Sequence, residues 1–317
     1  MDTVKLSDTG ISGPVPAPKY DRDWLVNYLN SPDCRNIVVL TGAGISVAAG
    51  IPDFRSPTTG LYANLEKYNL SHPEDIFNIR YFRDHPQPFY TLAKELIPEQ
   101  IIPTTVHLFI RLLDQKRMLL RTITQNIDAL ELEAGIPEEK VVFAHGSFAT
   151  AHCIRCHAVF PTDVLKESLK TGTVTYCQDS ACKGLVKPDI VFFGEALPHD
   201  FGRASKKDLP NASLLMVLGT SLKVLPFAAL PSLVGRQVPR VLINRELVTM
   251  MVPPLNHEER YWGRNIQLRS QPPINRDVFL EGDCQDTIAQ LITDLGWEED
   301  LELLKLQLSE GKILIPI

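Results

Sequence analysis

Ile37-Val38-Val39-Leu40-Thr41-Gly42-Ala43-Gly44-Ile45-Ser46 is an apolar run that enters a turn carrying two glycines one residue apart. A buried strand followed by such a turn and a helix is how a dinucleotide-binding sheet cradles a pyrophosphate. Gly42 and Gly44 would admit the phosphates to the backbone, and the helix amides would point at them. The usual third glycine is absent, because Val47 stands in its place, and no acidic residue follows a second strand to hold an adenosine ribose. The pattern therefore predicts a dinucleotide site unlike that of an ordinary dehydrogenase. The turn closes with Gly50-Ile51-Pro52-Asp53-Phe54-Arg55, which sets a carboxylate, an aromatic face and a fixed cation just beyond it.

Outward from that strand, apolar runs alternate with helical segments. Asp21–Leu29 reads as a helix start, Thr104–Lys116 as a helix, Leu119–Gln125 as a strand and Val141–Phe143 as a short strand ending at His145-Gly146. Asp189–Phe193, Leu214–Gly219 and Arg240–Ile243 read as further strands. Phe279-Leu280 precedes Glu281-Gly282-Asp283-Cys284 and a helix to Leu295. The alternation predicts an α/β fold: a Rossmann-like, mainly parallel sheet with helices on both faces and its ligand at the strands' C-terminal ends. Residues 57–103, interrupted by six prolines, read as a helical insertion behind a mobile loop, and 148–187 as a zinc-ribbon-like module; together they make a small domain. The Rossmann-like domain is then assembled from 20–56, 104–147 and 188–296, with a flexible arm over 1–19 and an amphipathic helix and tail over 297–317.

The 44% apolar and 22% charged content suits a globular protein long enough to bury a large core. A net charge of −6 argues against non-specific nucleic-acid binding. The longest apolar stretch, from Leu214 to Val234, is interrupted by Lys223, Pro226 and Pro231, so no membrane span is expected, and no signal segment opens the chain. Four of the six cysteines form the pairs Cys153-x2-Cys156 and Cys177-x4-Cys182. Two close pairs suit a tetrahedral thiolate cage around one structural zinc, in a reducing compartment. Reduced, unrelated thiols are the plainer alternative. His152 and His157 are expected to be solvated.

His145, at a strand end, is suited to act as a general base near neutral pH. Alone it would more simply be structural; Gln125, Asn126 and Asp128 at a neighbouring strand end favour function. Gly219-Thr220-Ser221 and Asn244-Arg245-Glu246 suit phosphate or ribose contacts, or helix caps.

Taken in order, Gly42–Ser46, Gly50–Arg55, Thr124-Gln125-Asn126-Ile127-Asp128, His145-Gly146, the two cysteine pairs, Lys187-Pro188-Asp189-Ile190-Val191-Phe192-Phe193-Gly194-Glu195 and Gly219-Thr220-Ser221 resemble the motifs of the sirtuin family. The resemblance covers about residues 22–296 and is strongest to the cytosolic class I branch, with its fungal Hst-two-type and tubulin-deacetylating enzymes. It implies NAD-dependent removal of acyl groups from lysine, with NAD consumed as co-substrate and nicotinamide, deacylated lysine and O-acyl-ADP-ribose as products. It implies His145 as general base and Asn126 as the residue that orients ribose and water. Phe54 and Arg55 would settle the reacting ribose, and Asp128 would lie near the nicotinamide. Gly42, Ala43, Gly44, Ile45, Ser46, Asp53, Gln125, Ile127, Gly219, Thr220, Ser221, Asn244, Arg245, Glu246 and Cys284 would surround the rest of the dinucleotide.

The resemblance also implies an acyl-lysine peptide, such as a histone tail, sandwiched between Val191-Phe192-Phe193-Gly194-Glu195 and Lys223-Val224-Leu225. Main-chain pairing of that kind gives affinity with loose sequence specificity. Phe77, Phe89, Leu92, Leu96, Ile127 and Phe148 match acyl-pocket positions, so acetyl and longer neutral acyl groups are expected. The helix near Phe89–Ile97 has no arginine for an acidic acyl group. Core packing is the plainer explanation for each of these apolar residues.

Trp297, Leu301, Leu304 and Leu308 share one helical face, which reads as a helix docked on the body. Trp297, Leu301, Leu304 and Leu306 also fit the spacing of a nuclear export signal, and the helix or the proline-rich arm is a candidate autoregulatory or oligomerising element. A cytoplasmic enzyme is expected, with visits to the nucleus left open. Mono-ADP-ribosyl transfer from NAD is the alternative activity; an idle acyl-lysine reader and a hydride-transferring dehydrogenase fit the motifs less well.

Overall fold

In a computed structural model that describes residues 20–54, 60–61, 65, 70, 72–96, 102–248 and 276–311, the run Ile37–Thr41 is strand β1 and is wholly buried. Ile37 and Val39 enter one apolar core, Val38 and Leu40 another. A strand apolar on both faces has to be covered on both, as in a parallel sheet between helical layers. The other strands are β2 (Leu119–Thr124), β3 (Val141–Phe143), β4 (Gly146–Cys153), β5 (Val186–Ile190), β6 (Leu214–Leu218), β7 (Arg240–Asn244) and β8 (Asp277–Glu281). Six of them pair in parallel in the order β3-β2-β1-β6-β7-β8. Sheet growth reverses between β1 and β6, which opens a crevice at the C-terminal ends of those two strands.

The helices among the described residues are α1 (Arg22–Leu29), α2 (Ile79–Asp84), α3 (Gln87–Leu96), α4 (Thr105–Gln115), α5 (Leu130–Glu133), α6 (Thr162–Thr171), α7 (His199–Lys207), α8 (Cys284–Leu295) and α9 (Glu298–Ser309). α1, α4, α8 and α9 cover one face of the sheet; α7 and the turn Phe227–Ser232 cover the other. A third core belongs to α2, α3, α6 and the β4–β5 pair. There Phe192 meets Phe82 and Phe89 edge-on, at 5.4 and 5.0 Å between ring centres.

Two elements differ from the sequence reading. The turn after β1 leads into two single 3-10 turns, Ala43–Ile45 and Val47–Ala49, in place of a phosphate-facing helix. Gly50, at φ +86°, ends the second of them. The apolar run around Asp189–Phe193 is strand only as far as Ile190. It pairs antiparallel with β4, outside the six-stranded sheet, and this ladder crosses both expected boundaries of the cysteine module, at 147/148 and 187/188. A short apolar run looks alike in either sheet, because periodicity reports burial and not partner.

The C-terminal helix docks on the body. Trp297, Leu301 and Leu304 are buried in the first core. Trp297 stacks on Phe109 at 6.1 Å, and Lys116 lies 4.6 Å from its ring centre while bonding Asp300 at 2.6 Å. Three of the four residues of the export-signal pattern are thus core residues. No helix among the described residues is long and apolar enough to cross a membrane. The arm 1–19 and residues 312–317 lie outside the described residues. Leu304→Ala should cost about 2–5 kcal/mol in denaturant unfolding, as a large-to-small core change does. The exposed Leu303→Ala should stay within about 0.5 kcal/mol.

Candidate active site

A cleft of about 500 Å³ opens over the ends of β1 and β6, within the usual range for a small-molecule site. Ala43 and Gly44 line it from the β1 turn, Gln125, Asn126 and Ile127 from the end of β2, and His145 from beyond β3. Gly219, Thr220 and Ser221 follow β6; Asn244, Arg245 and Glu246 follow β7; Cys284 begins α8. The opposite wall is Asp53, Phe54, Phe77 and the segment Val191–Glu195, with Lys223–Leu225 beside it. Five strand ends thus converge on one cavity.

The glycines have a different local reason from the one the motif suggests. A Cβ on Gly44 would lie 2.8 Å from the Gly219 carbonyl oxygen, and one on Gly42 2.6 Å from the Thr220 Cβ. Gly219 has φ +60°, and a Cβ there would lie 2.7 Å from the Ile45 nitrogen. These residues let the β1 and β6 loops pack directly on one another, so the cleft floor is set by loop-on-loop contact.

Asn126 is buried, and its Nδ2 donates to the Gly42 carbonyl at 3.2 Å and to Ser46 Oγ at 3.1 Å. His145 is partly buried, with Nδ1 3.1 Å from the Gln125 carbonyl. A carbonyl only accepts, so Nδ1 carries the proton and the neutral ring keeps a basic Nε2. Burial holds the pKa of His145 below its ordinary value, against the opposing pull of that carbonyl. Gly146, at φ +70°, turns the chain sharply away; a Cβ there would meet the Asp189 carbonyl. Thr220 Oγ1 donates to Gln125 Oε1 at 2.5 Å, and Arg245 pairs with Asp283 at 2.8 Å. The Cys284 thiol, pushed up to about 12 by burial, is neutral and donates to the Ile243 carbonyl at 3.4 Å.

The Val191–Glu195 wall is tied down at several points. Val191 N–H donates to the His145 carbonyl at 2.7 Å, and Phe193 N–H to the Phe77 carbonyl at 2.7 Å. The Phe193 carbonyl accepts from Ile79 N–H at 3.1 Å. Phe192 N–H donates to Glu195 Oε2 at 2.8 Å. Buried Lys187 donates to the Ile190 carbonyl at 2.6 Å and lies 3.1 Å from Glu195.

Several expected positions lie elsewhere. Gly42, Ile45, Ser46 and Asp128 sit behind the cleft wall and shape it from there. Phe89 and Leu92 are fully buried in the third core, and Leu96 and Phe148 pack against that core; of the expected acyl-pocket residues only Phe77 and Ile127 reach the cleft. Arg55 lies outside the described residues. Val47, Ile190, Leu197, Pro226 and Asp283 also line the cleft, beyond the site residues expected from the sequence. Asp283 stands in the polar turn after the last strand, a signal that was available.

The four cysteines converge. Cys153 and Cys182 Sγ are 3.6 Å apart, Cys156 and Cys177 Sγ 3.7 Å, and all four sulfurs lie within 4.8 Å of one another. A tetrahedron with Zn–S bonds of about 2.3 Å has an edge of about 3.8 Å, so the donor set fits zinc. Gly184 makes room for the knuckle, since a Cβ there would lie 2.7 Å from Cys153 Sγ. His157 is exposed. His152 is not simply solvated, because its Nδ1 lies 2.7 Å from Asp189.

Sheet order, cleft and thiolate cage define an α/β dinucleotide-binding protein with a structural zinc module. The Sir2 family model matches residues 42–226, and the chain belongs to that family. It is 51% identical over 277 residues to the NAD-dependent deacetylase sir2A of Dictyostelium discoideum, covering 87% of this chain and 52% of that protein. It is 45% identical over 282 residues to the NAD-dependent protein deacetylase sirtuin-2 of Danio rerio, covering 88% and 73%. To the NAD-dependent protein deacetylase hst2 of Schizosaccharomyces pombe it is 44% identical over 270 residues, covering 85% and 75%. The chain thus spans about half of the first relative's length and about three quarters of the other two.

Structural zinc contributes its binding free energy to folding. A chelator strong enough to strip the protein should release about one zinc per chain and unfold the module, read as loss of ellipticity together with metal release. Cys153→Ser should be purified without the metal.

Proposed function

We propose that this chain is an NAD-dependent protein-lysine deacetylase. The observation that carries the reading is a neutral histidine with a basic Nε2, beside a buried asparagine, at the floor of a dinucleotide-sized cleft. NAD supplies a ribose C1′ electrophile whose leaving group is nicotinamide. In this reading the acyl oxygen displaces nicotinamide at C1′ and His145 then takes a proton from the ribose hydroxyls, and such base catalysis is worth roughly 100- to 10,000-fold. Asn126, pinned by Gly42 and Ser46, orients the ribose side of the cleft. An amide oxygen is a weak nucleophile, so positioning supplies much of the rate, up to about 7–11 kcal/mol.

Phe54 and the Phe77–Phe192 contact, at 5.9 Å between rings, exclude water from one wall. Val191–Glu195 and Lys223–Leu225 hold the peptide backbone, and Phe77 and Ile127 meet the acyl group. Thr220, Ser221, Asn244, Arg245 and Glu246 hold the phosphates and the far ribose. The division into a Rossmann-like domain and a small domain carrying α2, α3, α6 and the zinc belongs to the same reading. So do acyl-lysine proteins such as histone tails as substrates, and a cytoplasmic location.

An acetyl-lysine histone peptide should lose its acetyl mass only with NAD present, with matching nicotinamide and O-acetyl-ADP-ribose. His145→Ala should lower kcat by about 100-fold or more. NAD consumption with a peptide gaining ADP-ribose would overturn the reading. Because His145 must be neutral and its pKa is depressed, activity should be full at neutral pH and fall only below the ordinary histidine value as acid charges the ring. An acid limb above pH about 6.5 would count against His145 as the base.

A further inference from the structure

Behind the cleft floor lies a polar cluster that the reaction described above does not use. One ring nitrogen of His107 and one carboxylate oxygen each of Asp128 and Glu131 lie within 4.8 Å of one another. His107 and Glu131 are fully buried. Among the described residues, His107 Nε2 and Glu131 Oε2 have no hydrogen-bond partner. His107 stands at the third position of α4, where its Nδ1 accepts the Thr104 N–H at 3.2 Å and completes a capping box. Thr104 Oγ1 lies 2.8 Å from the same nitrogen, and in either tautomer Nε2 is left without a partner, in a layer where Glu131 Oε2 also has none.

Thr41 Oγ1, at the end of β1, donates to Glu131 Oε1 at 3.4 Å, and Thr124 on β2 also bonds Glu131. Asp128 accepts from Leu130 N–H at 3.0 Å and from the Ser46 hydroxyl. Ser46 in turn accepts from Asn126. The groups facing Glu131 are thus His107 from α4, Thr41 and Thr124 from the two strand ends, and Asp128; no cation acts on it among the described residues.

Two carboxylates this close in a buried layer without a cation cannot both ionise. A carboxylic acid, unlike a carboxylate, also brings the layer a donor. We propose that His107, Glu131 and Asp128 share one proton in a buried hydrogen-bonded network, bridged by water, and that Glu131 and His107 are thereby positioning residues for the Asp128–Ser46–Asn126 floor of the cleft. The donors then converge on Asp128: Glu131 O–H and Ser46 O–H reach its carboxylate from two sides, and Asn126 N–H donates to Ser46. Burial first and the neighbouring Asp128 charge second raise Glu131 to about 8, in the same sense as the geometry. Above that pH the layer holds a second negative charge and the floor loosens.

The functional part of this inference rests on the deacetylase reading; the proton itself does not. Infrared difference spectroscopy of the full, zinc-loaded protein should show one protonated carboxylic acid at neutral pH that disappears on alkaline titration and is missing from Glu131→Gln. No such acid in the wild-type protein overturns the proposal, whether or not the protein is a deacetylase. A metal content of two per chain, falling to one in His107→Ala, would also overturn it, since a cation would then fill the cluster. In the enzyme assay Glu131→Leu should lower kcat about 10- to 100-fold with little change in the peptide KM, as loss of positioning does. Glu131→Gln, which keeps shape and a donor but cannot ionise, should recover most of that loss at neutral pH and flatten the alkaline fall seen in the wild type. An alkaline limb identical in the Gln variant would refute the positioning role.

Discussion

The contact between the β1 and β6 loops sets the terms for everything above it. Gly44 and Gly219 lie so close that a methyl group on either would overlap the other's backbone. Because those loops touch, the strand ends at the point where the sheet reverses direction are held at one height. Residues from β2, β3, β7 and α8 can then reach across a single cavity. The third glycine of an ordinary dinucleotide fingerprint serves helix-to-strand packing. Here single 3-10 turns replace that helix, and Val47, in the place of the third glycine, lines the cleft.

That floor explains why so many polar groups lie beneath it. Asn126 is tied to Ser46 and to the Gly42 carbonyl, and the layer under them is buried. In such surroundings a hydrogen bond is stronger and an unmet one costs more, so the arrangement has few alternatives. The zinc module acts at a distance. Its thiolates close the end of the β4–β5 ladder, the same ladder leads into Val191, and Val191 N–H ends on the carbonyl of the catalytic histidine candidate.

Much of this was legible in the chain. Ile37–Leu40, Leu214–Leu218 and Val241–Ile243 are apolar on both faces, as a doubly covered parallel sheet requires. The cysteine spacing specified its cage without reference to the fold. His145, Asn126 and Thr220 stood out because polar residues at strand ends are where such sheets bind ligands. What was hidden depends on partners far apart in sequence. The antiparallel pairing of β5, the filling of Phe89 and Leu92 into the third core, and the meeting of His107 with Glu131 across two elements leave no periodic trace. His107 looked like one more residue of an amphipathic helix. Glu131 follows the Gln125–Asp128 cluster by one turn, yet nothing local marks it as buried.

Lys187 has a consequence of another kind. Burial lowers its pKa, and a lowered lysine pKa ordinarily makes an amine more reactive toward acyl donors. Its ammonium, however, is enclosed by the Pro188 and Ile190 carbonyls, Glu195 and the face of Phe192. The lysine beside the cleft is thus enclosed and held away from acyl donors. The strap it anchors keeps its tie to Ile190 and Glu195 away from lysine acylation, the modification that the proposed activity removes.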